Sequence, residues 1–274
     1  MKLCVVTGAG GVLCSAFAAE MSRAGYAVAL LDINEAAVKA VADSINAAGG
    51  NAKAYAVSVL DREALENVRK QILSDFGKCD VLINGAGGNN PRATTTHEYF
   101  EAGEEDAAAE ELTTFFNLSE SGFDFVFDLN ITSAFLTTQV FAQDMIKTGG
   151  NIINISSMNG FRPLTKIPAY SAAKAGVSNM TQWLAVHFAS AGIRVNAIAP
   201  GFFCTNQNRA LLFHEDGTPT PRTGKILAAT PRGRFGEPEE LFGALRFLTD
   251  AQAASFVTGI VIPVDGGFSA YSGV

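Results

Sequence analysis

The sequence predicts an α/β fold: a single domain over residues 1–274, built on a doubly wound parallel sheet of about seven strands. Three observations predict it. Short apolar runs alternate with longer helical patterns along the chain, the order that strand–helix–strand units require. The first apolar run passes through a glycine-rich turn straight into a helical stretch. The residues with evident chemistry fall just after predicted strands, where parallel sheets of this kind bind ligands.

In order, Leu3–Val6 reads as a strand, Thr7–Gly11 as the glycine turn and Val12–Ala24 as a helix. Ala27–Leu31 is the next strand, followed by a helix over Glu35–Ala48 and a strand over Ala52–Val57. Asp61–Phe76 sets Leu65, Val68, Ile72 and Phe76 on one face, with Asp61 as N-cap. Asp80–Asn84 is a strand. Phe123–Lys147 and Pro168–Ala191 read as long helices, each leading into a strand, Asn151–Ile155 and Ile193–Ile198. A last helix covers Pro238–Thr249 and a last strand Ile260–Val264. The result is Rossmann-like, with Gly8, Asp32, Asn84, Ser157 and Pro200 at strand ends.

The turn Thr7-Gly8-Ala9-Gly10-Gly11 between strand and helix suits a dinucleotide pyrophosphate. Glycine lets the backbone approach, and a helix N-terminus offers free N–H groups. Asp32 ends the second strand, about 20 residues past the turn, where a carboxylate binds a ribose hydroxyl. It would repel a 2′-phosphate, and no Lys or Arg lies between Lys2 and Arg23 or between Arg23 and Lys39 to offset that. NAD is therefore the expected cofactor rather than NADP. At the other end, Tyr170 and Lys174 stack one turn apart on a helix, facing Ser157 at a strand end. A phenol titrates near about 10. A neighbouring ammonium favours the phenolate, so Lys174 is expected to lower Tyr170 toward use as a proton relay. Ser157 would hold the substrate oxygen.

Together these residues resemble the short-chain dehydrogenase/reductase family over essentially the whole chain. The family's Thr-Gly-x-x-x-Gly-x-Gly is met by Thr7 to Cys14, with Val12 and Cys14 in place of its later glycines and a glycine moved to position 11. Its Asn-x-Ala-Gly is Asn84-Gly85-Ala86-Gly87, its Pro-Gly-x-x-x-Thr is Pro200 to Thr205, and its closing glycines are Gly259, Gly266 and Gly267. The resemblance implies Ser157, Tyr170, Lys174 and the helical Asn130 as catalytic residues. In it Lys174 also binds the nicotinamide ribose, and Asn130 holds a water linking Lys174 to solvent. Gly8, Gly11, Leu13, Asp32, Ile33, Ser58, Val59, Asn84, Gly85, Ala86, Tyr170, Lys174, Pro200, Phe203 and Thr205 are the expected cofactor contacts. Ser58 stands where many members carry an aspartate near the adenine.

The segments Asn84–Thr95 and Met158–Tyr170 further resemble the D-mannonate oxidoreductase (fructuronate reductase) branch of the family. This resemblance implies a secondary alcohol and ketone interconverted on a sugar acid. Gluconate 5-dehydrogenase-like and other polyol or sugar dehydrogenases are alternatives, and so is a non-enzymatic NAD(H)-binding regulator. The complete Ser, Tyr, Lys and Asn set argues against a pure sensor. Arg92, Asn159, Arg162 and Lys166 near the expected mouth are candidates for an anionic, polyhydroxylated substrate. Two segments should shape that mouth. One is an acidic insertion at about 89–122, read either as a lid or subunit contact or as a solvated loop. The other is a substrate loop at about 202–235 without clear structure, typical of lids.

Composition narrows the rest. A net charge of −7 argues against nucleic acid as a partner. No unbroken apolar run reaches membrane-spanning length, and the start lacks a signal-peptide pattern, so a cytoplasmic protein is expected. Cys4, Cys14, Cys79 and Cys204 and the scattered His97, His187 and His214 give no metal spacing, so no metal is expected. Phe123–Ile146 and Pro168–Ala191 are apolar on several sides, which predicts cover by another subunit or by the chain's own insertions. The family resemblance implies a homotetramer.

Overall fold

A computed structural model describes residues 1–108, 110–204 and 209–273. Its strands are β1 (Leu3–Thr7), β2 (Ala27–Asp32), β3 (Ala52–Ala56), β4 (Val81–Asn84), β5 (Gly150–Ile155), β6 (Ile193–Pro200) and β7 (Val261–Val264). All pair in parallel in the order β3-β2-β1-β4-β5-β6-β7. The winding reverses between β1 and β4, so a crevice opens at their carboxyl ends.

Around the sheet run α1 (Val12–Arg23), α2 (Glu35–Ala47), α3 (Arg62–Asp75), α4 (Glu120–Phe127), α5 (Ser133–Phe141), α6 (Pro168–His187), α7 (Arg209–Leu212), α8 (Pro221–Ala228) and α9 (Phe242–Thr249). Both sheet faces are covered, and β1 shows how. Cys4 and Val6 join Phe17, Leu30 and Leu245 on one side, while Leu3 and Val5 join Leu31, Leu65, Phe141 and Leu184 on the other. Fully buried side chains such as Phe17 and Phe141 each contribute about 2–3 kcal/mol of apolar burial. Asp61 caps α3 as expected, its carboxylate accepting from the Ala64 N–H at 3.0 Å.

The long helix expected over Phe123–Lys147 is different in detail. It starts earlier, because the Ser119 hydroxyl accepts from the Gly122 N–H at 3.1 Å and caps α4. It then widens into a π turn over Asp128–Thr132 before α5 begins. A turn of this kind adds one residue to the helical spacing, which apolar periodicity cannot reveal. The continuous stretch Glu120–Asp144 is long and apolar enough to cross a membrane, at a mean hydropathy of 1.2. Asp124, Asp128, Asn130 and Asp144 interrupt it, and half of its most apolar window is buried within the fold. The other long helix ends at His187, and a tight turn over Ala189–Ala191 closes on Gly192 at φ 68°. The substrate loop is more ordered than expected: it holds α7 and α8. Pro221 begins α8, and Thr220 Oγ1 accepts from the Thr223 N–H at 3.3 Å.

A buried polar ladder ties the site-bearing elements together. Asn84 donates from Nδ2 to Thr138 Oγ1 (3.0 Å) and to Asn154 Oδ1 (2.9 Å), and accepts from the Thr137 hydroxyl at 2.6 Å. Asn154 in turn donates to Thr181 Oγ1 at 2.9 Å. Sheet, α5 and α6 are thereby held in one register beneath the crevice.

The acidic insertion folds back on the body. Its Thr95 N–H donates to Lys166 O at 2.9 Å, and Asn117 accepts from the Thr114 N–H at 2.8 Å while donating to Leu112 O at 2.9 Å. Glu98 reaches Lys225 on α8 at 2.9 Å, so the insertion touches the substrate loop. Of the apolar residues expected to need cover, Val126, Phe141 and Met145 lie in this chain's own interior, whereas Phe123, Phe125, Phe135, Trp183 and Val186 are exposed.

Candidate active site

The crevice is a cleft of about 730 Å³. Thr7 builds its floor: its hydroxyl accepts from the Gly85 and Ala86 N–H groups at 3.0 and 3.2 Å, pinning the turn after β1 to the turn after β4. Gly8 sits there at φ 66°, and a Cβ on it would lie 2.9 Å from Ala86 N. Only glycine meets both demands. Gly10 donates its N–H to Asp32 Oδ2 at 2.9 Å, and Gly11 donates to Gly8 O at 3.0 Å and precedes α1.

The structure accounts for Cys14, which stands where a glycine was expected. A Cβ on Gly85 would fall inside 3.0 Å of Cys14 Sγ, closer than real Cβ atoms approach anything. Glycine at position 85 leaves the room that the Cys14 side chain fills, and the two turns stay close.

The near half of the cleft fits a dinucleotide. Side chains cap α2, α3 and α4, but none caps α1, whose first residues Val12 and Leu13 line the cleft. Its amino end can therefore receive an anion. The Asp32 carboxylate accepts from the Gly10 and Asn34 N–H groups at 2.9 and 2.8 Å, which fixes it at the cleft with a lone pair left on each oxygen. Ile33, Ser58 and Val59 line the cleft beside it, as do Gly8, Gly11, Gly85, Ala86, Pro200 and Phe203 further along. Thr205 lies outside the described residues.

At the far end, Ser157, Tyr170 and Lys174 line the same cleft. Ser157 lies two residues past β5 and caps a tight turn, Oγ accepting from the Asn159 N–H at 3.2 Å. Lys174 donates to Ile155 O at 2.8 Å, and its Nζ lies 5.6 Å from the centre of the Tyr170 ring. The expected lowering of Tyr170 by Lys174 is thus corrected. Burial raises the phenol, and the contact that pulls it back down is the Ser157 hydroxyl. Desolvation instead acts on Lys174, bringing its ammonium down to about 8.

Asn130 sits in the π turn behind these residues. It donates from Nδ2 to Gly88 O and Val126 O, both at 2.7 Å, and accepts from the Gly88 N–H at 3.1 Å. With both amide hydrogens engaged, its side chain clamps the Gly88 loop. A Cβ on Gly87 would lie 2.7 Å from Asn130 Oδ1 and 3.0 Å from Lys174 Nζ, so glycine keeps the two side chains adjacent.

Other expected contacts move. Asn84 turns its side chain into the buried ladder and does not line the cleft. None of Arg92, Asn159, Arg162 and Lys166 lines it either. Arg92 is drawn to Ser121 at the start of α4 (3.3 Å), Arg162 is exposed, and Asn159 is buried with its Oδ1 unpartnered among the described residues. Asn89, Phe125, Leu129 and Phe202 shape the far end instead. Phe125 and Leu129 are four apart on one helix and carried that signal; their aim depends on the π turn.

A model of the family described as short chain dehydrogenase matches residues 2–215. The chain belongs to the short-chain dehydrogenase family. It is thus an oxidoreductase that acts on CH–OH groups with a nicotinamide dinucleotide. An uncharacterised oxidoreductase of Haemophilus influenzae is 60% identical over all of this chain and 95% of its own length. A crystal structure from the same organism, of a candidate D-mannonate oxidoreductase with NAD bound, superposes with a TM-score of 0.95 at 59% identity, covering 100% of this chain and 96% of the other. A candidate NAD(P)-dependent gluconate 5-dehydrogenase from Beutenbergia cavernae, with NADP at low occupancy, gives a TM-score of 0.82 at 33% identity, covering 98% and 97%. The fold and the cleft are therefore those of a short-chain dehydrogenase.

Proposed function

We propose that this short-chain dehydrogenase interconverts a secondary alcohol and a ketone on a sugar acid of the D-mannonate/D-fructuronate type, using NAD(H). The observation that carries the reading is one cleft with a fixed carboxylate, Asp32, at one end and Ser157, Tyr170 and Lys174 at the other. NAD is preferred over NADP because Asp32 disfavours a 2′-phosphate and the α1 turn offers no cation to offset it. The NAD found in the Haemophilus relative supports this, and that relative's description as a candidate D-mannonate oxidoreductase supports the sugar-acid class. The Beutenbergia relative keeps gluconate 5-dehydrogenase chemistry as the second reading.

The bound dinucleotide supplies hydride transfer. Ser157 presents its hydroxyl to the substrate oxygen and holds it beside the phenol. Tyr170 gives that oxygen a proton in reduction and takes one in oxidation. Its raised pKa leaves it protonated at neutral pH, a state ready for reduction. Lys174, anchored on Ile155 O, presents its charge beneath the Tyr170 ring and toward the cleft. Asn130 is a positioning residue that holds the Gly88 loop against Lys174.

The exposed Phe123, Phe135, Trp183 and Val186 support assembly as a homotetramer. The four free cysteines support a reducing, cytoplasmic setting. The test is NADH and NADPH oxidation against a panel of keto-sugar acids, keto-polyols and simple ketones. We expect turnover with NADH and a keto-sugar acid. A strong NADPH preference, or turnover confined to neutral ketones, would overturn the reading.

A further inference from the structure

Two cavities meet at one phenylalanine. Phe202 lines the catalytic cleft, and it also lines a second cavity of about 480 Å³ that reaches Arg232, Glu240 and Asp265. Phe203 is the other side chain common to both. The two rings stand differently. Phe203 is buried, and a Cβ on Gly236 would lie 2.6 Å from its Cε1, so that ring is packed in place. Phe202 is half-buried, and its one aromatic contact among the described residues is with Phe268, at 5.4 Å between ring centres and 77° between planes.

The backbone holds Phe202 from two sides. The Gly201 N–H donates to Val264 O at 2.9 Å, and Phe202 O accepts from the Gly236 N–H at 2.9 Å. What the backbone leaves open is the side-chain torsion. A phenylalanine ring chooses among staggered positions, and an edge-to-face neighbour favours one of them by a modest amount. The second cavity gives the Phe202 ring somewhere to go in another position.

Phe268 itself is firmly set. It follows β7 through a turn made by Gly266 and Gly267, at φ 64° and 91°. The Asp265 carboxylate ties this turn, accepting from the Gly267 N–H at 2.9 Å and from the Ser269 N–H at 2.8 Å. The Arg232 N–H donates to Gly266 O at 3.1 Å. A residue beyond the last strand is thus delivered against the cleft wall from a braced turn. The cleft must hold a dinucleotide and a substrate together, so the place of one ring at its substrate end decides what fits.

We propose that Phe202 is a movable partition between the cleft and the second cavity, and that Phe268, by locking its ring, is a specificity-determining positioning residue. The lock confines the site to slender, open-chain ketones such as a keto-sugar acid. With the lock removed the partition yields, the two cavities join, and broader ketones gain entry. The proposal rests on the dehydrogenase reading above and deepens it by adding a size limit to the substrate.

The test is steady-state reduction with NADH of a six-carbon keto-sugar acid and of 2-acetylnaphthalene, a ketone with a broad rigid ring. Phe268→Ala should shift the ratio of the two kcat/KM values toward the aryl ketone by about threefold to tenfold, through KM, with NADH affinity unaltered. Phe268→Tyr, which keeps the ring, should keep the wild-type ratio. In a Phe202→Ala background, removing Phe268 should shift the ratio no further. Should Phe268→Ala fail to fold, Phe268→Leu, which fills the space without a ring edge, reads the same ratio. The proposal fails if the ratio stays unaltered, or if it shifts equally with and without the Phe202 ring. It also fails if NADH binding and both kcat/KM values fall together, since the segment is then merely structural. Wild-type protein that reduces only neutral ketones would sink the sugar-acid reading alone, because the same ratio is then read against 2-hexanone.

Discussion

The contact between Cys14 and Gly85 makes a sharp packing prediction. In Gly85→Ala the new Cβ falls inside 3.0 Å of Cys14 Sγ and 3.0 Å from Thr7 O. Ordinary contacts begin at about 3.5 Å. Cys14 is buried on α1 and can retreat little, so the substitution should cost about 2–3 kcal/mol, the upper part of the range for overpacking. Cys14→Ala removes the sulfur and keeps a helix former, at a cost of about 1 kcal/mol. With alanine at both positions the two Cβ atoms would lie 3.6 Å apart, an ordinary contact, although Thr7 O stays close. The double variant should therefore recover part of the loss, with a coupling of about 1–2 kcal/mol. Urea unfolding of the four proteins measures it, and NADH binding by fluorescence should fall most in Gly85→Ala. Additive costs within about 0.5 kcal/mol would refute the idea that positions 14 and 85 compete for one space.

Three further outcomes follow from the same structure. Burial pushes the Cys14 thiol up to about 12, against an unfolded value near 9.0, so the unfolded chain releases this proton first. Its stabilising effect is whole below pH 9 and is lost as pH rises toward 12, so Cys14→Ala should remove about 1.4 kcal/mol per pH unit from the alkaline slope of stability. Denaturant titrations at several pH values would check this, and an unchanged slope would contradict it. Asn154→Leu should cost about 2–4 kcal/mol, because one Asn84 amide hydrogen loses its acceptor and the Thr181 hydroxyl oxygen its donor in the interior; an unaltered melting curve would remove the ladder from the account. Because burial raises Tyr170 above the ordinary phenol range of about 10, ketone reduction should hold across neutral pH, whereas alcohol oxidation, which needs the phenolate, should gain only at higher pH. Rates in both directions that share one pH optimum would count against that assignment.

The fold was legible because its signals are local. The Asp61 cap, the apolar face of α3 and the strand–turn–helix around Gly8 are each set by neighbours in sequence. Tyr170 and Lys174 were legible too, since four residues make one helical turn. What Lys174 does with its charge was not, because Ile155 O reaches it only through the pairing of β5 with the sheet and the packing of α6. Asn84 shows the same limit: its inward turn depends on Thr138 and Asn154, far away in the chain. The π turn at Asn130 adds a residue without disturbing apolar spacing. The basic candidates Arg92 and Arg162 were picked by proximity in sequence to the catalytic stretch, and tertiary packing carried them away from the cleft.

The central claim is that the Tyr170 hydroxyl carries the proton while the rest of the same cleft holds the dinucleotide. The most direct measurement compares Tyr170→Phe with wild-type protein for NADH binding and for steady-state reduction of a keto-sugar acid. The account predicts unaltered NADH affinity and turnover reduced by at least about a hundredfold. Turnover near the wild-type rate would contradict it.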